Sequence, residues 1–293
     1  MCDDHTEDDN AAFLKTTSDM SRRGFAVLAS ASLAACAAGQ TASGQTLEVV
    51  ESEVNVTTSD GVADCYFAHP VRGKYAAVLV WPDIMGLRPA FRQMGKRLAQ
   101  SGYAVLVINP YYRSAHGAVI QPGESFTDPA IRAKLMPLAQ ALSSTTAQTD
   151  ATAFVQYLDA QPAVDISKKM GTTGYCMGGP FVFRTAAIAP ARVGAGATFH
   201  GGGLATQAPT SPHLLIPQMK ANFLIAVAQN DDQRDPVAKD TLREAFAAQH
   251  LPAEIEVYPA QHGWCPPDSP VYDAAQAERA WGRMLALFEK SLV

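Results

Sequence analysis

Gly174-Tyr175-Cys176-Met177-Gly178-Gly179 restricts the fold more than any other segment of this chain. The spacing G-x-nucleophile-x-G belongs to a tight turn from a strand into a helix. Glycines flank the reactive residue there because the bend leaves no room for Cβ atoms. Cysteine stands where serine is usual. The flanks suit the turn: Lys169 to Thr173 can run as a short buried strand, and Pro180 to Ala187 can begin a helix. A helix N-terminus directly behind the sulfur favours the thiolate, the nucleophilic form of cysteine.

The rest of the chain supplies neighbours for such a strand. Ala76 to Trp81 and Tyr103 to Ile108 are continuous apolar runs, as expected of parallel strands buried on both faces. Between them Arg88–Gln100 has helical spacing, with Phe91, Met94 and Leu98 on one side. Ahead of them Leu47 to Phe67 alternates as an edge hairpin around Ser59-Asp60-Gly61. Thr149–Ala160, Asp235–His250 and Tyr272–Leu292 read as further helices, the last carrying Trp281, Leu285 and Phe288 as a core stripe. The pattern predicts an α/β fold with a mostly parallel central sheet and helices on both faces, forming one domain over 46–293. Ser114–Ser144 is longer and more polar than a simple connection, and reads as a lid or an oligomer contact.

A nucleophile on such a turn needs an acid and a histidine, and in the α/β-hydrolase architecture they follow it in that order. Asn222 to Ala228 reads as a strand and runs into Gln229-Asn230-Asp231-Asp232; a strand ending in a carboxylate is how this fold presents its acid. Asp231 is the candidate, with Asp232 as its competitor. Ala253 to Pro259 alternates as a last strand, and Ala260-Gln261-His262-Gly263-Trp264 places a histidine in the Gly-flanked loop beyond it. In that arrangement Cys176 attacks a carbonyl as thiolate and His262 carries the proton. Asp231 holds the imidazole tautomer and stabilises its charged form. The developing oxyanion needs backbone donors, one of them the amide of Met177, directly after the nucleophile. His200-Gly201-Gly202-Gly203 matches the oxyanion loop of lipases and esterases, but that loop precedes the nucleophile and this one follows it. It is expected to border the pocket at the end of the strand Val193 to Phe199, and is assigned no catalytic role.

These residues resemble the dienelactone hydrolase family, carboxymethylenebutenolidase-like enzymes of the α/β-hydrolase fold with a Cys-His-Asp triad. The similarity runs over residues 47–293 and rests on five segments: 174–179, 230–232, 260–264, Trp81 to Leu87 and Asn109 to Arg113. It implies a hydrolase that opens small carboxylic esters or lactones through a thioester acyl-enzyme. It puts the second oxyanion amide at Ile84 and a supporting carboxylate at Asp83, where the family carries a glutamate that pairs with the resting thiol. Aspartate is one methylene shorter, and the alternative reading of Asp83 is a cap for the helix starting near Arg88. Arg113 matches the first of two arginines that hold a substrate carboxylate. The second is missing, since Gly263-Trp264-Cys265-Pro266-Pro267 follows the histidine. Weak activity on dienelactone itself is therefore expected. Trp264 reads as an apolar pocket wall in substrate binding or as packing.

Ser21-Arg22-Arg23-Gly24-Phe25 resembles a twin-arginine export signal, and Phe25 to Ala35 is the apolar core that follows one, too short and Ala-rich to span a membrane. Leu33-Ala34-Ala35-Cys36 fits a lipobox, which makes Cys36 the lipidation candidate; ordinary cleavage near Ala38 or Ala42 is the alternative. Residues 1–45 thus read as an acidic leader plus signal. Met1 to Met20 lacks periodicity and is expected to be disordered, and Met20 competes with Met1 as the start. The expected location is the periplasm, with anchoring to the membrane through lipidated Cys36; the alternative is the cytoplasm. Of the five cysteines, Cys65 and Cys265 form the one pair in the body that spares the nucleophile. A net charge of −5 with no basic run argues against nucleic acid, and the absence of a phosphate loop or zinc-spaced set implies no cofactor and no metal. The rival function is a non-catalytic exported lipoprotein that binds ligands on the same fold. Nothing in the sequence sets an oligomeric state.

Overall fold

A computed structural model describes residues 8–15 and 46–293. The hairpin consists of β1 (Val49–Thr58) and β2 (Gly61–Pro70), paired antiparallel from Val49↔Pro70 to Thr58↔Gly61. Then follow β3 (Ala77–Trp81), α1 (Pro89–Gln100), β4 (Ala104–Ile108), α2 (Pro129–Gln140) and α3 (Ser144–Asp159). The second half contains β5 (Met170–Tyr175), α4 (Gly179–Ile188), β6 (Val193–Phe199), β7 (Asn222–Ala228), α5 (Gln229–Arg234), α6 (Ala238–Ala248), β8 (Ala253–Tyr258) and α7 (Ala274–Ser291). Among the described residues the strands form one eight-stranded sheet in the order β1-β2-β4-β3-β5-β6-β7-β8. β2 runs antiparallel to β1 and β4, and every other neighbouring pair is parallel.

Strand alternation divides the core into two layers. Leu79 and Trp81 of β3 and Leu106 of β4 pack with Phe154 of α3, Phe183 of α4 and Phe246 of α6. Val78, Val80 and Val107 face the other way, onto Phe91 and Leu98 of α1 and Met284 and Phe288 of α7. Helices therefore cover both faces, as the continuous apolar strands require. Cys65 lies in the first layer and Cys265 in the second, so the sheet separates them. Both are free thiols, and so is Cys176.

Several boundaries depart from the apolar pattern. α3 begins at Ser144, five residues before the helical spacing does, because Ser143 and Thr146 exchange hydrogen bonds in a capping box. The Asn230–Asp232 segment is a helical turn rather than an open loop. Residues 8–15 are helical, not disordered: Asp9 pairs with Arg234, and Asn10 Nδ2 donates to the carbonyl of His262 at 3.0 Å. The twin-arginine segment, Cys36 and Met20 lie outside the described residues. No helix among the described residues is long and apolar enough to cross a membrane.

Candidate active site

β5 ends at Tyr175, and the chain turns through Cys176–Gly178 into α4. Cys176 has φ +51°, a left-handed conformation that costs a non-glycine residue on the order of 1–3 kcal/mol. Its glycine neighbours allow the bend. A Cβ on Gly174 would lie 2.3 Å from the carbonyl oxygen of Gly178, and one on Gly178 would lie 2.3 Å from that of Trp81. The turn is thus wedged against the end of β3, which brings the β3–α1 connection beside the sulfur. The N-terminal end of α4 starts directly behind it.

Asp231 and Asp232 are consecutive residues of α5, so their side chains diverge by about 100°. Asp231 Oδ2 accepts from His262 Nδ1 at 2.7 Å, whereas Asp232 is held by Lys239 Nζ at 2.6 Å. The same turn aims Asn230, whose Oδ1 accepts the backbone N–H of His262 at 2.8 Å. Only the position of Asn230 in the 230–232 motif hinted at this role. His262 is buried, which by itself would favour the neutral ring. The charges of Asp231 and Cys176, and hydrogen bonds to both, overcome burial and push its pKa up to about 10. The imidazole is therefore held charged between a carboxylate and the sulfur.

The β3–α1 connection closes as a turn in which Gly86, at φ +73°, donates to the carbonyl of Asp83. The Asp83 carboxylate accepts the amide of Met85 at 2.9 Å and both terminal nitrogens of Arg88, at 2.7 and 3.0 Å. It does not cap α1, whose N-cap is Arg88 with no side-chain bond. Arg88 is itself 1% exposed and reaches on to Asp268 at 2.7 and 2.9 Å, tying this turn to the loop after His262. Burial pushes the carboxyl pKa of Asp83 up, against the pull of Arg88. Tyr111 links the β3–α1 connection to the elbow, its hydroxyl donating to the carbonyl of Ile84 at 2.7 Å and lying 3.3 Å from Met177 Sδ.

Cys176, His262, Asp83 and Ile84 line one cavity of about 50 Å³, closed by Met85, Phe126, Val271 and, from the N-terminal helical segment, Asn10. Phe126 comes from the long connection after β4, which does cover the site. Arg113 is elsewhere. Its guanidinium is spent on Asp60 and Asp150, at 2.6 and 2.7 Å, and it lines no part of this cavity. Trp264 is not a pocket wall either: fully buried, it stacks on Tyr258 and meets the ring of His200 edge-on. His200, given no role by sequence order, does face the cavity, its ring centroid 5.0 Å from that of His262. No group of three or more His, Cys, Asp or Glu among the described residues is arranged to hold a metal ion.

Comparison with known proteins fits this arrangement. The family model of the dienelactone hydrolase family matches residues 63–292. The carboxymethylenebutenolidase of Rhodococcus opacus is 28% identical over 226 residues, covering 75% of this chain and 83% of that protein. Among solved structures, a protein of Klebsiella pneumoniae superposes with a TM-score of 0.71 at 24% identity, covering 83% of this chain and 99% of the other. The dienelactone hydrolase-like promiscuous phosphotriesterase P91 from metagenomic libraries does so with a TM-score of 0.68 at 21% identity, covering 84% and 99%. Elbow, sheet order and a family match spanning most of the described domain agree: the chain is an α/β-hydrolase-fold protein belonging to the dienelactone hydrolase family.

Proposed function

We propose that this hydrolase opens carboxylic ester or lactone bonds with Cys176 as nucleophile, His262 as proton carrier and Asp231 as the residue that orients and charges the imidazole. The observation that carries the reading is the 2.7 Å bond from His262 to Asp231, in a histidine that also interacts with the sulfur on a left-handed elbow. The sulfur attacks the carbonyl carbon, the S–C bond forms, and the π pair moves onto oxygen. The amides of Ile84 and Met177 meet that charge, each such donor contributing typically about 3 kcal/mol. Collapse breaks the C–O bond to the alkoxide, which takes the Nε2 proton of His262. Neutral His262 then draws a proton from water as its oxygen attacks the thioester, and the thiolate departs.

Substrate preference follows from the walls. With Arg113 bound to Asp60 and Asp150, no lysine or arginine among the described residues lines the cavity at Cys176. Its neighbours Ile84, Met85, Phe126 and Val271 favour a neutral ester. A groove of about 460 Å³ adjoins at Ile84 and Met177; Met136, Leu142 and Phe181 give it apolar wall suited to the acyl portion, and Arg184, whose guanidinium donates to the carbonyl of Thr210, lines it as well. Hydrolysis of p-nitrophenyl acetate and a lactone panel tests the assignment. Loss of activity in both Cys176→Ala and His262→Ala is expected, with simple aryl esters better than dienelactone. Full activity in Cys176→Ala would overturn it, and inactivity throughout the panel would favour a binding protein. We further propose export with lipidation at Cys36, supported by the twin-arginine and lipobox segments. A membrane-bound product beginning at acylated Cys36 is expected by mass spectrometry, and an intact Met1 terminus in the cytosol would refute it.

A further inference from the structure

The groove of about 460 Å³ that adjoins the cavity at Cys176 holds a charge that the proposed mechanism does not use. Ile84 lines both spaces, so the groove opens directly off the proposed oxyanion amides. One wall is a single face of the elbow and α4: Met177, Pro180, Phe181 and Arg184, set three and four residues apart as a helix face requires. Met136 of α2 and Leu142 of the connection to α3 line it as well. Arg184 is the sole charged residue lining the groove among the described residues. At ~1.5 Å per residue, its backbone stands about 10 Å along the helix from Met177.

Arg184 is half-buried, and burial works against its charge. A guanidinium stays protonated even so. Arg88 and Arg113 each answer the same penalty with two carboxylates, whereas no carboxylate among the described residues pairs with Arg184. Its Nη2 donates to the carbonyl of Thr210 at 2.9 Å. That contact sets the guanidinium against the loop after β6, which is itself closed by the Thr206 N–H donating to Ser211 Oγ at 2.8 Å. Nε and Nη1 have no partner among the described residues. The side chain is thus held in place with donors unspent, in a groove that is otherwise neutral and largely apolar.

We propose that Arg184 receives a carboxylate at the tail of the acyl chain, so that the preferred substrates are monoesters of medium-length dicarboxylic acids. The inference deepens the ester hydrolase reading and rests on it. The ester carbonyl lies in the neutral cavity at Cys176, the methylenes run along Met136, Leu142 and Phe181, and the carboxylate meets the guanidinium. A planar fork holds a carboxylate through two parallel N–H···O bonds. Binding also relieves the cost of a half-buried cation that nothing in the groove answers. An acetyl group ends too soon to reach Arg184. A carboxylate next to the scissile bond lies too near Cys176 to do so, which keeps the expectation of weak activity on dienelactone.

The mono-p-nitrophenyl ester of suberic acid and p-nitrophenyl octanoate test this, because they share chain length and differ in the terminal carboxylate. In wild type, kcat/KM for the suberate ester is expected to exceed that for octanoate by about tenfold or more. Arg184→Gln should abolish most of that ratio, through KM rather than kcat, because the contact is made equally in ground and transition states. Arg184→Lys, which keeps the charge without the fork, should retain part of it. Calorimetric titration of Cys176→Ala with monomethyl suberate gives a readout apart from turnover: its Kd should rise about tenfold when Arg184→Gln is added. Equal rates on the two esters in wild type, or a preference unchanged in Arg184→Gln, would overturn the proposal and leave the hydrolase reading intact. Arg184-dependent binding of monomethyl suberate, with no ester hydrolysed by wild type, would remove the hydrolase reading and leave the groove assignment standing.

Discussion

The charge on His262 is the property of single residues with the widest consequences. Its pKa is about 10 in the fold, against an ordinary value near 6.5. The stability it contributes is therefore fully present below about pH 6.5 and is lost as pH rises through about 10. The gap in urea midpoint between wild type and His262→Gln should narrow across that window, and a constant gap would contradict the ion pair with Asp231. The two adjacent aspartates separate cleanly. Asp231→Asn should lower kcat/KM by roughly 10³–10⁴-fold, because the imidazole loses its tautomer and its counter-charge. Asp232→Asn, which removes only the contact with Lys239, should change kcat/KM little; comparable losses in the two variants would mean the acid is shared.

Among elements, the β3–α1 turn and the loop after His262 are tied together because Arg88 holds a carboxylate on each. Arg88→Met leaves Asp83 buried without its cation and should destabilise the fold by about 3–5 kcal/mol, read as a lowered Tm. Asp268→Asn keeps the buried pair, so a small change in Tm is expected from it. The elbow was legible because every requirement on it is local: two glycines, a proline in the first helical turn and a cysteine at fixed spacing. The Arg88 bridge was not, since Asp268 lies 180 residues away and no local pattern marks it.

At the scale of the whole molecule, residues 8–15 of the unprocessed chain reach back to the cavity at Cys176, where Asn10 donates to the carbonyl of His262 and lines the wall; cleavage before Cys36 would remove them. A chain beginning at Thr46 should hydrolyse bulky esters severalfold faster relative to acetate than the full chain does. Equal selectivity in steady-state assays would show that Asn10 does not restrict entry. The α/β architecture, the elbow that carries Cys176 and the order in which Asp231 and His262 follow it were determined by sequence alone, because strand periodicity, glycine spacing and strand-end residues act over a few positions. Only the tertiary structure decided that Asp231 rather than Asp232 faces His262, that Arg113 is bound to Asp60 and Asp150, and that Cys65 and Cys265 lie across the sheet from each other. It also turned His200 into the cavity, its ring beside that of His262. These outcomes depend on which side chains a helical turn or a neighbouring strand brings within about 3 Å, and that distance is set by packing between segments far apart in the chain.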